Sequence, residues 1–136
     1  AYVASRAVQF FLPGEPQVYY VGLFNGMDDR QLFSRTGQGR DVNRHNYTPG
    51  EIEVALQQPV TQAIIALARL RKLPVFDGEF SWQVTGSDSL RMGWVNGSDS
   101  LTLDFKTTVD APSFVITATD ASGTRTFGSV EELARA

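Results

Sequence analysis

The sequence predicts an α/β segment followed by a small antiparallel β domain. Three observations carry this. The first 73 residues alternate helix-like apolar spacing with one short β-branched and aromatic run, VYYV at 18–21. Five strand-like runs, FSWQVT, LRMGWV, LTLDF, SFVITA and TRTF, then follow from residue 80 onward. Between those runs lie GSDS, NGSDS, DAP and DASG, the polar and glycine-rich segments that turn a chain back on itself. The composition changes near Pro74, and the boundary is placed at 76/77.

Residues 2–12 read as a helix, with Val3, Ala7, Val8, Phe10 and Phe11 on one stripe. Pro13-Gly14 stops it, because proline cannot continue a helix and glycine permits a turn. The run VYYV fits a strand buried on both faces, with Tyr19 and Tyr20 at its centre, as in a parallel sheet covered by helices. Helix, turn, buried strand, loop and helix make an αβα unit of the kind that closes a (β/α)8 barrel.

Asn25-Gly26 signals a turn. Residues 28–34 read as a short helix with Asp28 and Asp29 in its first turn, on a solvated face. Thr48-Pro49-Gly50-Glu51 has the spacing of a capping box with proline at the first helical position. A second helix runs over 59–73, with Val60, Ile64, Leu67 and Ala68 on one stripe, and the sheet is expected to pack on it. LTLDF alternates strictly, so one of its faces is expected to be buried. Trp82 and Trp94, both in strand-like runs, are expected in the core. Residues 130–136 read as a terminal helical turn.

A chain of 136 residues suffices for one ordinary domain with its own core, and 42% hydrophobic with 20% charged residues fits a globular protein. The formal net charge of -3 gives no basic footprint, so no nucleic acid is expected as partner. No apolar run approaches the roughly 18–20 residues that span a bilayer, so no membrane partner is expected. The absence of cysteine excludes disulfides and thiolate chemistry and is compatible with a cytoplasmic location. A single histidine cannot build a multi-histidine metal site. No cofactor and no metal are expected.

The polar residues concentrate in GRDVNRHNYT, 39–48, between the apolar run and the long helix. Polar groups gathered on a loop between rigid elements are where function commonly sits. Arg44 offers a planar fork of donors suited to sugar hydroxyls or to a carboxylate, and the competing reading is a surface ion pair with Asp41. His45 could act as a general base or orient the loop through a backbone hydrogen bond. Arg40 and Asp41 are read as bracing the loop, Asn43 as bridging a turn, and Tyr47 as lining a pocket mouth or entering the core.

The stretches FFLPGEPQVYYVGLFNG (10–26), GRDVNRHNYT and QQPVTQAIIALARLR (57–71) together resemble the C-terminal part of sucrose phosphorylases. These are α-glucosyl-transferring members of the α-amylase superfamily of glycoside hydrolases. The resemblance is dense over 1–82 and thin beyond. It implies that the chain is a C-terminal fragment of a longer enzyme. Residues 1–76 would be the last α/β units of its (β/α)8 barrel and 77–136 a C-terminal antiparallel β-sheet domain. It implies that Arg44, His45, Tyr47 and Asn43 bind substrate and that Arg44 meets the glucosyl unit beside an acid from an early barrel loop. It also implies a sugar donor (sucrose or a related α-glucoside) and inorganic phosphate as partners, and leaves room for a homodimer. The catalytic carboxylate pair that retaining glucosyl transfer requires lies upstream in the family, so no catalytic residue is expected here. Asn46 stands where the family pattern carries tyrosine, which keeps glucosylglycerol, glucosylglycerate and phosphorylated sucrose open as donors. A hydrolase or transglucosidase of the same superfamily, or a stand-alone carbohydrate-binding β-module, are the alternatives.

Overall fold

The computed structural model describes residues 1–108 and 111–136. The turn expected at 110–112 lies partly outside them. The helical half comprises α1 (Tyr2–Phe11), α2 (Tyr20–Leu23), α3 (Arg30–Thr36), a 3-10 turn at Gly39–Asn43, α4 (Pro49–Leu56) and α5 (Pro59–Leu70). A second 3-10 turn, Pro74–Asp77, leads into five strands: β1 (Glu79–Gly86), β2 (Ser89–Asn96), β3 (Asp99–Lys106), β4 (Ser113–Asp120) and β5 (Gly123–Phe127). The chain then forms α6 (Val130–Ala134).

The strands pair in the order β1-β2-β3-β4-β5, each antiparallel to the next. Such a meander follows from strands joined by tight polar turns, and Gly97 (φ 62°) and Gly123 (φ 121°) supply left-handed backbone in two of them. Register places Phe80, Trp94, Leu101 and Ala118 in one row across four strands. Met92, Leu103 and Ile116 form the neighbouring row. Leu101 and Leu103 are fully buried, as the alternation of LTLDF predicts.

α1 buries Val3, Ala4, Ala7, Phe10 and Phe11. Two of these are alanines, which let the helix approach closely on both sides. It crosses β3 and β4, while α5 packs on α1 and α6. The helix lying directly on the sheet is therefore α1, not α5 as its longer apolar stripe suggests. α1, α5, α6, the 3-10 turn at Pro74–Asp77 and the sheet share one apolar core, to which α3 and α4 add no buried residue.

Two further expectations are corrected. The run at 17–23 forms no strand: Tyr19 is extended and half-exposed, and Tyr20–Leu23 turns helical. A strand of a closed parallel barrel needs hydrogen-bonded partners on both sides, and among the described residues every strand belongs to the antiparallel meander. The backbone groups of this run are satisfied locally instead. Leu23 N–H donates to the Tyr19 carbonyl (2.9 Å), Phe24 N–H to that of Tyr20 (3.0 Å), and the Tyr2 hydroxyl to that of Gly22 (2.6 Å). The barrel's sheet is thus absent from the described residues. The second correction concerns Trp82, which is 66% exposed. It shares a row with buried Met92, but it sits on the edge strand beyond the helices that cover β3 and β4.

Candidate functional site

α3 and α4 position the polar loop between them. The Asp29 carboxylate caps α3, accepting from Leu32 N–H at 2.8 Å. Gly37 ends the helix in a left-handed conformation (φ 67°). Asp29 therefore sits at the cap rather than inside the first turn, and it is not the solvated side chain expected. Thr48 and Glu51 form the expected capping box of α4. Glu51 N–H donates to Thr48 Oγ1 at 3.3 Å, and the Glu51 carboxylate accepts from Thr48 N–H at 2.7 Å and from its hydroxyl at 2.8 Å.

Between these caps lies His45. Its Nδ1 is 3.1 Å from Asp29 Oδ2 and its Nε2 is 3.2 Å from Glu51 Oε1. Each carboxylate uses its other oxygen for a cap, so neither is free to swing away. His45 thus orients the loop through two carboxylates rather than through a backbone hydrogen bond. Its pKa is raised above the usual imidazole value, first by the bond to Asp29 and then by that to Glu51. Asp29 is held below the usual carboxylate range by Leu32 N–H and then by His45. Glu51 is held low by the Thr48 N–H and hydroxyl and then by His45. The Tyr47 ring stands edge-on to the imidazole, 4.7 Å between centroids, and also meets Phe24 and Tyr20 edge-on. Desolvation raises the pKa of its phenol.

The four residues expected to bind substrate divide between two open clefts. Arg44, Asn43 and Arg40 line one of about 550 Å³ together with Tyr19 and Asp28. His45 and Tyr47 line another of about 520 Å³ with Met27, Asp29 and Gln31. Arg44 is exposed and makes no ion pair among the described residues, so the surface pair with Asp41 is not formed. Arg40 Nε donates to Gln38 Oε1 at 2.9 Å. The brace that Asp41 provides is its backbone, whose carbonyl accepts from Arg44 N–H at 3.3 Å. The stronger brace is Asp29, which the sequence reading missed: its N–H also donates to the Val42 carbonyl. The signal was present, since aspartate just before a helix is a preferred cap. No metal-holding group of acidic or histidine side chains occurs among the described residues, and no helix in them is long and apolar enough to cross a membrane.

Comparison with known proteins places this architecture. Residues 75–128 match the family model described as sucrose phosphorylase, C-terminal. The chain is 47% identical over 106 residues to a sucrose phosphorylase of Bifidobacterium adolescentis, covering 77% of this chain and 21% of that protein. It is 47% identical over 98 residues to a glucosylglycerol phosphorylase of Marinobacter adhaerens, covering 71% and 20% respectively. The crystal structure of a sucrose 6F-phosphate phosphorylase from Thermoanaerobacter thermosaccharolyticum superposes with a TM-score of 0.86 at 35% identity, over 94% of this chain and 26% of that one. The relatives in all three cases are named as phosphorylases, and the family model matched by residues 75–128 is that of the C-terminal part. The chain belongs to the sucrose phosphorylase family as a C-terminal fragment. It spans about a fifth of the length of the curated relatives it matches.

Proposed function

We propose that the loop 39–48 contributes to the glucosyl site of a longer enzyme that transfers an α-glucosyl unit from sucrose or a related glucoside to inorganic phosphate with retention, giving α-glucose 1-phosphate. In this reading residues 1–76 join the barrel of that enzyme and 77–136 form its C-terminal β domain. A carboxylate elsewhere in the polypeptide displaces the donor's leaving group at the anomeric carbon. A phosphate oxygen then attacks the same carbon and releases the carboxylate. The reading retains a cytoplasmic location.

The observation that carries this reading is Arg44. Its guanidinium is exposed and without an acid partner among the described residues, while its neighbours are tied down on both sides. A planar fork held at a cleft mouth suits two adjacent sugar hydroxyls or a carboxylate brought by the rest of the enzyme. Asn46, exposed beside it, leaves the donor open among sucrose, phosphorylated sucrose, glucosylglycerol and glucosylglycerate.

The test is donor phosphorolysis by the full-length polypeptide. Mispositioning a substrate costs on the order of 100-fold in rate, so Arg44→Ala is expected to lower turnover by at least about that factor with the fold intact. Arg44→Lys rescues little, because an ammonium lacks the fork. Turnover of Arg44→Ala within a few-fold of the parent removes Arg44 from the sugar site. Donor cleavage independent of phosphate assigns the enzyme to hydrolysis or transglucosylation instead.

A further inference from the structure

We propose that the Asp29–His45–Glu51 clamp is a positioning device for Arg44: two carboxylates already fixed by helix caps grip both ring nitrogens of His45 and so set where the adjacent guanidinium points. The proposal rests on the assignment of Arg44 to the sugar site and extends it to residues outside the polar loop.

The geometry supports it in three ways. First, an ionised carboxylate only accepts hydrogen bonds. With Asp29 Oδ2 at 3.1 Å and Glu51 Oε1 at 3.2 Å, both contacts are hydrogen bonds only when both imidazole nitrogens carry protons, so the geometry favours the imidazolium. Second, the grips come from opposite sides, one from the start of α3 and one from the first turn of α4. Rotation of the ring breaks at least one of them. Third, the loop is pinned again upstream, where Asp29 N–H meets the Val42 carbonyl and Arg44 N–H meets that of Asp41. Arg44 therefore lies between two anchors that both lead back to Asp29.

The other groups near the ring leave this arrangement standing. Tyr47 meets it edge-on and carries no charge at neutral pH, its phenol pKa being raised. Asp28 and Arg30 line the same cleft with opposite charges. Arg35 favours the ionised form of Asp29. Tyr20 reaches the ring only through Tyr47.

Asp29→Asn and Glu51→Gln separate the clamp from the caps. Each keeps an oxygen able to accept the capping N–H and removes the charge that holds the imidazolium. His45 is the only histidine of the chain, so its ring titration is read directly by NMR in the 136-residue protein. The expected midpoint lies above the ordinary value of about 6.5 and falls in both variants. In the full-length polypeptide both variants are expected to lower kcat/KM for the donor by about tenfold. They also move the alkaline limb of the pH profile to lower pH, as loss of the ring proton releases the clamp. A ring that titrates at the ordinary value overturns the proposal. So do variants that shift the ring titration yet leave kcat/KM and the pH profile within twofold of the parent. A silent Arg44→Ala is a separate outcome: it removes the sugar-site assignment, and with it the role of the clamp, even where NMR shows the clamp to be formed.

Discussion

The indole N–H of Trp94 donates to the main-chain carbonyl of Phe11 at 2.8 Å, in the buried interior, across 83 positions of sequence. The last carbonyls of a helix have no partner within it, and here the sheet supplies one to the C-terminus of α1. Arg71 seals the same corner, lying over the rings of Phe76 (4.2 Å) and Trp94 (5.2 Å) and donating to the Gly14 carbonyl at 2.7 Å. One side chain thus joins the helical half to the sheet.

Trp94→Phe is therefore expected to destabilise the chain by about 2–4 kcal/mol. It leaves a buried carbonyl without a donor, worth about 1–3 kcal/mol, and opens a small void beside Phe76 and Phe80. Urea unfolding of the two proteins measures this, and a midpoint within error of the parent contradicts it.

The fold was legible where its cause is local. LTLDF alternates, and its leucines are buried; Thr48 and Glu51 stand three apart, and the capping box forms. What needs a distant partner was not legible. VYYV has the composition of a buried strand, yet Tyr19 is extended alone and the chain turns helical over Tyr20–Leu23, since among the described residues no strand pairs with it. Trp82 and Trp94 occupy similar strand-like runs, and only the covering helices distinguish the buried one from the exposed one. In the candidate site the loop itself was readable, whereas the grip of Asp29 on His45 joins residues 16 apart and depends on how α3 docks.

Gly78 sits where β1 begins, against the backbone of β2. A Cβ there would collide with the main-chain carbonyl of Val95 and approach Asn96 Cβ at 2.8 Å. Backbone cannot give way as a side-chain tip can. Gly78→Ala is expected to cost about 1–3 kcal/mol and to loosen the pairing of Glu79 with Val95. Hydrogen exchange at the start of β1 reads the second effect, and unchanged protection there argues against it.

Thr61 behaves in the opposite sense. Its hydroxyl is buried inside α5 without a hydrogen-bond partner among the described residues. Thr61→Val keeps the shape and the branching while removing the unsatisfied oxygen. The expected result is unchanged stability or a gain of about 1 kcal/mol. A loss greater than about 1 kcal/mol would show that the hydroxyl finds a partner in solution.

The clamp also gives the stability of the chain a defined pH dependence. Asp29 and Glu51 have lowered pKa values. Their contribution is complete above the ordinary carboxylate values of about 3.9 and 4.3, and it is lost as pH falls through the depressed ones. His45 has a raised pKa. Its contribution is complete below about 6.5 and is lost as pH rises through the raised value. Both are present together between roughly pH 4.5 and 6.5, so the melting temperature is expected to peak there. His45→Gln removes the alkaline fall, and Asp29→Asn weakens it. All three groups are partly exposed, with side-chain accessibilities of 35% for His45, 20% for Asp29 and 47% for Glu51, so salt is expected to flatten the peak. The measurement is thermal denaturation from pH 3 to 9 at low and high ionic strength. A melting temperature that keeps rising from pH 6 to 8 in the parent gives the sign opposite to a clamped imidazolium.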